Sequence, residues 1–161
     1  MATRNLSAID VQSIPDASGM RFGIAVSDWN PEVTGALLEG CIRTLSEQHV
    51  SDEDMEILHV PGSFELPLAG QLLAEKGRFD AVILLGCVIQ GETRHFDYIC
   101  QGVTQGIMDL NLQFGLPFIF GILTTLDQQQ ALDRAGGKHG NKGVEAASTA
   151  IRMVTIRQSF R

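Results

Sequence analysis

The sequence has no apolar run near the roughly 20 residues that a membrane-spanning helix needs, and its N-terminus lacks a signal-peptide pattern. A soluble, cytoplasmic chain with no membrane partner is therefore expected. Cysteine is scarce: Cys41, Cys87 and Cys100 are odd in number and form no C-x-x-C pair, which excludes a disulfide framework and suits reduced thiols. His49, His59, His95 and His139 show no H-x-x-x-H or H-E-x-x-H spacing, so no metal site is expected. Positive charge is also short. Twelve Lys and Arg against 19 Asp and Glu leave a net charge of -7, which argues against broad binding to nucleic acid or to an anionic membrane. No G-x-G-x-x-G follows the first strand, and GKHGNKG lacks the Walker arrangement, which disfavours a nucleotide-binding enzyme.

What is present suits one ordinary domain: 161 residues, 44% hydrophobic and 19% charged, are enough to bury a core without disulfide or metal. Residues 1–20 are polar and irregular and read as an N-terminal extension, and residues 21–161 read as a single domain. Within the extension, Ile9, Val11 and Ile14 suit a short extended piece with nothing obvious to pair with in its own chain, so strand addition to a neighbouring subunit is an option. Buried strands are expected at residues 21–27, over the run Ala81–Leu85 and at 118–123, and an alternating strand at 55–60. Helices are expected between them: from Pro31, with Asn30 as N-cap, to near His49; over about 64–76, with Ser63 as cap; from His95 to Phe114; over Asp127–Asp133; and in a last helix carrying Ala147, Ile151 and Val154. The strand Ala81-Val82-Ile83-Leu84-Leu85 shows no alternation, so both its faces should be covered. Strand starts about thirty to forty residues apart, joined by right-handed crossovers, predict an α/β three-layer sandwich around a four-stranded parallel sheet.

Ligands of such sheets bind beyond the carboxyl ends of the strands. Four stretches lie there: Trp29-Asn30, Ser63-Phe64-Glu65, Val88 to His95, and Thr124 through a basic glycine-rich loop with Arg134, Lys138 and Lys142. The first two supply an aromatic plane and polar groups that suit a flat heterocycle. The third supplies a helix start, which attracts anions, and a histidine; the fourth supplies cations for a phosphate. Taken singly, each has a plainer reading. Trp29 or Phe64 serves equally as core, Glu65 as a solvated first-turn acid, and the cations as ordinary surface. A histidine beside an anion can exchange a proton near neutral pH, with Glu92 or Asp97 to tune it.

Together the stretches resemble the lumazine synthase family, over about Phe22 to Phe160. The resemblance rests on WN at Trp29-Asn30, VPGSFELP from Val60 to Pro67, LGCVIQGETRHFDY from Leu85 to Tyr98, PFIFGILTT from Pro117 to Thr125 and RAGGKHGNKG from Arg134 to Gly143. It implies a flavodoxin-like fold. It also implies condensation of 5-amino-6-(D-ribitylamino)uracil with 3,4-dihydroxy-2-butanone 4-phosphate, giving 6,7-dimethyl-8-ribityllumazine, phosphate and water, the penultimate step of riboflavin biosynthesis, without metal or organic cofactor. By position, Trp29 would stack on the pyrimidine, Asn30, Ser63 and Glu65 would line the ribityl chain with Phe64 beside them, and Val88 and Ile89 would offer backbone groups to the heterocycle. Gly91, Glu92 and Thr93 would cradle the phosphate and Arg134 would neutralise it. His95 matches the proton-transfer histidine. Phe120 and Lys142 match positions that reach the site from a neighbouring subunit.

Two positions depart from the family pattern. Trp29 stands where phenylalanine is frequent, and Gln90 where arginine or lysine is common, which removes a cation near the phosphate and leaves Arg94 as a substitute. Family members assemble as pentamers or as sixty-subunit icosahedral shells, and the short loop from Gly136 to Gly143 resembles the shell formers. Riboflavin synthase is an implied partner. Two other readings compete: a monomeric flavin-binding, flavodoxin-like carrier without turnover, and a cage protein that has lost activity.

Overall fold

A computed structural model describes residue 10 and residues 13–161. Four parallel strands form the sheet: β1 (Phe22–Ser27), β2 (Met55–Val60), β3 (Ala81–Ile89) and β4 (Phe118–Thr125), in the order β2-β1-β3-β4. Their register is continuous, with Val26 opposite both His59 and Leu85, and Leu85 opposite Gly121. The chain moves outward in one direction from β1 to β2 and in the other from β3 to β4. The point where the order reverses therefore lies between β1 and β3, where open α/β sheets form their crevice.

Side-chain parity explains why β3 shows no hydrophobic alternation. Ala81, Ile83, Leu85 and Cys87 enter one core with Phe22, Ile24 and Val26. Val82 and Leu84 enter the other, with Ala25, Phe118 and Ile122. The first core is closed by α1 (Pro31–Glu47) and α5 (Lys142–Ser159), through Val33, Leu37, Cys41 and Leu45 and through Ala147, Ile151 and Val154. The second is closed by α2 (Leu66–Glu75) and α3 (His95–Phe114), through Leu66, Ala69 and Leu73 and through Val103, Ile107 and Leu110. The expected three-layer, flavodoxin-like architecture is the observed one. Fully burying a Leu, Ile or Val is worth about 1.5–3 kcal/mol, so these two layers hold the carboxyl ends of the strands in register.

Several local expectations need correction. Asn30 stands before Pro31 but adopts a left-handed conformation (φ 60°, ψ 55°) and makes no side-chain cap. Ser63 does not cap α2 either: residues Ser63–Glu65 form one 3-10 turn, and α2 begins at Leu66. Thr124 and Thr125 belong to β4 instead of following it. After α4 (Gln128–Asp133), capped by Asp127 accepting from the Gln130 N–H at 2.8 Å, the basic loop folds into an antiparallel hairpin of β5 (Ala135–Gly137) and β6 (Gly140–Asn141). The hairpin's glycines Gly136 and Gly140 both have positive φ.

Ile14 also departs from expectation. It is buried in the chain's own core with Ala17 and Met20, while Ile9 and Val11 lie outside the described residues. Arg152 donates to the Ser13 carbonyl at 3.1 Å and to its hydroxyl at 2.9 Å, and Ala17 N–H donates to Gln48 O at 2.9 Å. Asp16 meets His49 Nδ1 at 2.7 Å, and this hydrogen bond holds its carboxyl below the usual range. None of the helices described is long and apolar enough to cross a membrane.

Candidate active site

All four strands are parallel, so their carboxyl ends share one edge of the sheet, and the four stretches expected there are found on it. Beside the reversal point the hub is a backbone atom, the carbonyl oxygen of Cys87. Asn30 Nδ2 donates to it at 3.2 Å and Ser63 Oγ at 3.5 Å. This explains the left-handed turn at Asn30: the turn aims the amide inward at β3, away from the helix it precedes. Ser27 Oγ, at the end of β1, is buried without a hydrogen-bond partner among the described residues. It adds a second polar atom beneath the same loops, one that composition and spacing did not single out.

Trp29 and Phe64 are not core. The Trp29 indole is 65% exposed and rests on Gly62, where a Cβ would fall 2.6 Å from two of its ring carbons. Asp28 and Trp29 donate their N–H groups to Val60 O at 2.8 Å and Pro61 O at 3.0 Å, which ties the β1 loop to the end of β2. An exposed Asp28–His59 pair at 2.8 Å braces the same junction. Phe64 is exposed and leans on Gly102 of α3. Glu65 turns back to accept from the Gly62 N–H at 3.0 Å, so one of its oxygens stabilises the turn that carries the indole.

On the other side, Val88 and Ile89 pair with Thr124 and Thr125, and Gln90 N–H donates to Thr125 O at 2.9 Å. The chain then leaves the sheet through Gly91, Glu92, Thr93 and Arg94, all exposed, and His95 opens α3 with its own N–H directed to Thr93 Oγ1 at 3.3 Å. Three solvated polar residues followed by a twenty-residue helix make a platform open to an anion. The nearby thiols offer no competing nucleophile. Burial pushes Cys87 up to about 11 and Cys41 to about 12, and burial together with Asp97 raises Cys100.

The fourth stretch lines cavities of its own. Arg134, Lys138, His139 and Lys142 surround a space of about 410 Å³ with Thr124 and Thr125. Phe120 and Lys142 line a second, of about 460 Å³, with Met108, Asn111 and Met153. Neither is lined by Trp29, Ser63, Glu65 or residues 91–95. One copy of the chain thus gathers Trp29, Asn30, Ser63, Phe64 and Glu65 around one end of the edge and Arg134 and Lys142 on the β4 side, with Phe120 farther back along β4 in the cavity it shares with Lys142. Among the described residues no three His, Cys, Asp or Glu side chains are grouped to hold a metal ion.

Comparison with known proteins places this geometry in a lineage. A family model described as 6,7-dimethyl-8-ribityllumazine synthase matches residues 19–158. The chain is 56% identical over 155 residues to the 6,7-dimethyl-8-ribityllumazine synthase of Parabacteroides distasonis, covering 96% of this chain and 97% of the other. It is 53% identical over 157 residues to that of Porphyromonas gingivalis, with 98% of both chains covered, and 51% identical over 160 residues to that of Flavobacterium johnsoniae, with 98% and 84% covered.

Proposed function

The chain belongs to the 6,7-dimethyl-8-ribityllumazine synthase family, and from that premise we propose that it condenses 5-amino-6-(D-ribitylamino)uracil with 3,4-dihydroxy-2-butanone 4-phosphate in the cytoplasm, releasing phosphate and water. The observation that carries the proposal is the near-complete alignment with synthases combined with the gathering of Trp29, Asn30, Ser63 and Glu65 at the sheet's reversal point. The exposed Trp29 face takes the pyrimidine, and the polar groups beneath it take the ribityl hydroxyls. Val88 and Ile89 present backbone groups to the ring. Gly91, Glu92 and Thr93 receive the phosphate at the start of α3, and His95 moves protons between the reacting atoms.

The substrate amine is already a good nucleophile, so orientation and proton transfer suffice for imine formation, phosphate elimination and ring closure. No step needs a thiol, a metal or an organic cofactor. Incubating the two substrates and following lumazine absorbance with phosphate release tests the assignment. No rate above the uncatalysed condensation would overturn it, and tight flavin binding without turnover would replace it by the carrier reading. Arg134→Ala is expected to raise the Michaelis constant for the phosphate substrate about tenfold, the loss of roughly 1.4 kcal/mol, and to leave that for the pyrimidine nearly unchanged. Equal effects on both would mark a general defect of the fold.

The split of the site residues within one chain supports a site completed by Phe120, Arg134 and Lys142 of a second copy. Exposed Leu68 and Leu72 on α2 and Met108 and Leu112 on α3 supply apolar surface for such packing. The assembly we propose is a pentamer that builds the sixty-subunit shell, with riboflavin synthase as a partner that consumes the product. Sedimentation at working concentration is expected to show the shell as the largest species. A pentamer alone would sink that part of the reading.

A further inference from the structure

Asp133 stands where elementary electrostatics disfavours a carboxylate. It is the last residue of α4, at the helix end that repels negative charge, and it is only 9% exposed. Every acceptor it offers is used to hold the hairpin. Oδ1 accepts from Gln129 Nε2 at 2.9 Å, one turn back, and Oδ2 from Lys138 Nζ at 2.9 Å, at the hairpin's tip. Its main-chain oxygen accepts the His139 N–H at 2.8 Å. Gly137 lies directly against it: a Cβ there would fall 2.7 Å from Asp133 Cα and 2.8 Å from Leu132 O. The tip of the hairpin is thus folded down onto one residue through a side chain, a carbonyl and a close backbone approach.

The open end of the same hairpin carries the two cations of the phosphate-side cavity. Arg134 precedes β5, Lys142 opens α5, and the Lys142 N–H donates to Arg134 O at 2.9 Å, so the positions of both depend on how the hairpin lies. Asp133 lines the cavity of about 410 Å³ with them. We infer that Asp133 is a positioning residue: by tying Lys138 and His139 to the end of α4 it sets the hairpin angle at which Arg134 and Lys142 face a common phosphate. Lys138 is then a strut more than a ligand, since its ammonium is committed to the carboxylate. This inference rests on the proposed reaction for its substrate, and it concerns Asp133, to which no role in that reaction was given above.

The test uses the full-length protein and two probes, inorganic phosphate in a binding titration and the two substrates in a turnover assay. Asp133→Asn and Lys138→Gln are each expected to weaken phosphate binding and raise the Michaelis constant for the phosphate substrate by about three- to tenfold, with turnover at saturation and the pyrimidine constant nearly unchanged. The double variant should be no worse than either single one, because both remove the same strut. Additive losses, equal rises in both Michaelis constants, or phosphate binding as tight as in the wild type would each overturn the inference. A wild type that binds phosphate in an Asp133-dependent way without forming lumazine would remove the proposed reaction and leave the positioning role standing. A wild type that binds no phosphate would remove the positioning role.

Discussion

His95→Ala is expected to form lumazine about ten- to a thousandfold more slowly than the wild type at saturating concentrations of both substrates, a loss of roughly 1.4–4 kcal/mol of transition-state stabilisation. The range sits at or below the usual contribution of a positioned acid or base because the condensation also proceeds without an enzyme. The argument for a large effect is that the loop has no substitute. Between Gln90 and Tyr98 the other ionisable side chains are the carboxylates Glu92 and Asp97, the permanent cation Arg94 and the phenol Tyr98. The nearest thiol in the strand before it, Cys87, is held protonated by burial at about 11. His95 is exposed at the first turn of α3, and it is its backbone N–H that contacts the Thr93 hydroxyl. Removing the ring therefore leaves the helix intact, and the melting temperature should not move. His95→Gln, which keeps a hydrogen-bonding group but exchanges no proton, should be as slow as the alanine variant. Turnover within twofold of wild type in either variant would take His95 out of the proton-transfer role.

How much of this was readable in the sequence differs sharply between layers. The sheet and its helices were, because a run such as Ala81–Leu85 with no alternation, and a helix with Leu37, Cys41 and Leu45 at four-residue spacing, admit few arrangements other than burial. The place of the site was readable for the same reason, since parallel strands send their following loops to one edge. The turns were not. Asn30 has the composition of an N-cap and the position of one, but its amide finds a stronger claim in the Cys87 carbonyl, 57 residues away, and local propensity yields to it. Ser63 is diverted by the same carbonyl. Glu65 reads as a solvated first-turn acid, whereas it holds the Gly62 N–H and thereby the seat of Trp29. For Asn30 and Ser63 a tertiary partner supplied by β3 overrides a short-range preference, and a one-dimensional pattern carries no sign of it.

The basic loop is the other instructive case. Read along the sequence, GKHGNKG is a surface string of cations and glycines; in the fold it is a hairpin whose least conspicuous member carries most of the structure. Asn141 Oδ1 accepts from Gly143 N–H at 2.8 Å and Val144 N–H at 3.3 Å, capping α5, while its Nδ2 donates to Ala36 O of α1 at 3.0 Å. An asparagine just before a helical stretch is the signal the sequence carries for this cap, and it stands among cations whose charge is the more conspicuous feature.

That junction also supports the largest expected change in stability. At Gly143 the first turn of α5 lies against the backbone of α1 so closely that a Cβ would fall 1.9 Å from Leu37 O and 2.7 Å from Leu37 C. Both atoms are backbone, so no side-chain rotamer can relieve the overlap, and Gly143→Ala must push the two helices apart by more than an ångström. These helices close one of the two cores, with Val33, Leu37 and Cys41 facing Ala146, Ala147 and Ile151, and separating them opens that core along its length. The cost is expected at or above the upper end of the usual overpacking penalty, about 3 kcal/mol, or a fall of roughly 6–12 °C in melting temperature at fixed protein concentration. Gly35→Ala supplies the opposite sign on the same helix. Its Cβ would meet nothing within 4 Å, so the substitution should gain about 0.5–1 kcal/mol through helix propensity alone. A Gly143→Ala protein that melts within 2 °C of wild type would mean that α1 and α5 are not locked at this point. The asparagine bridge would then be a surface contact and not the hinge pin that sets where Lys142 begins.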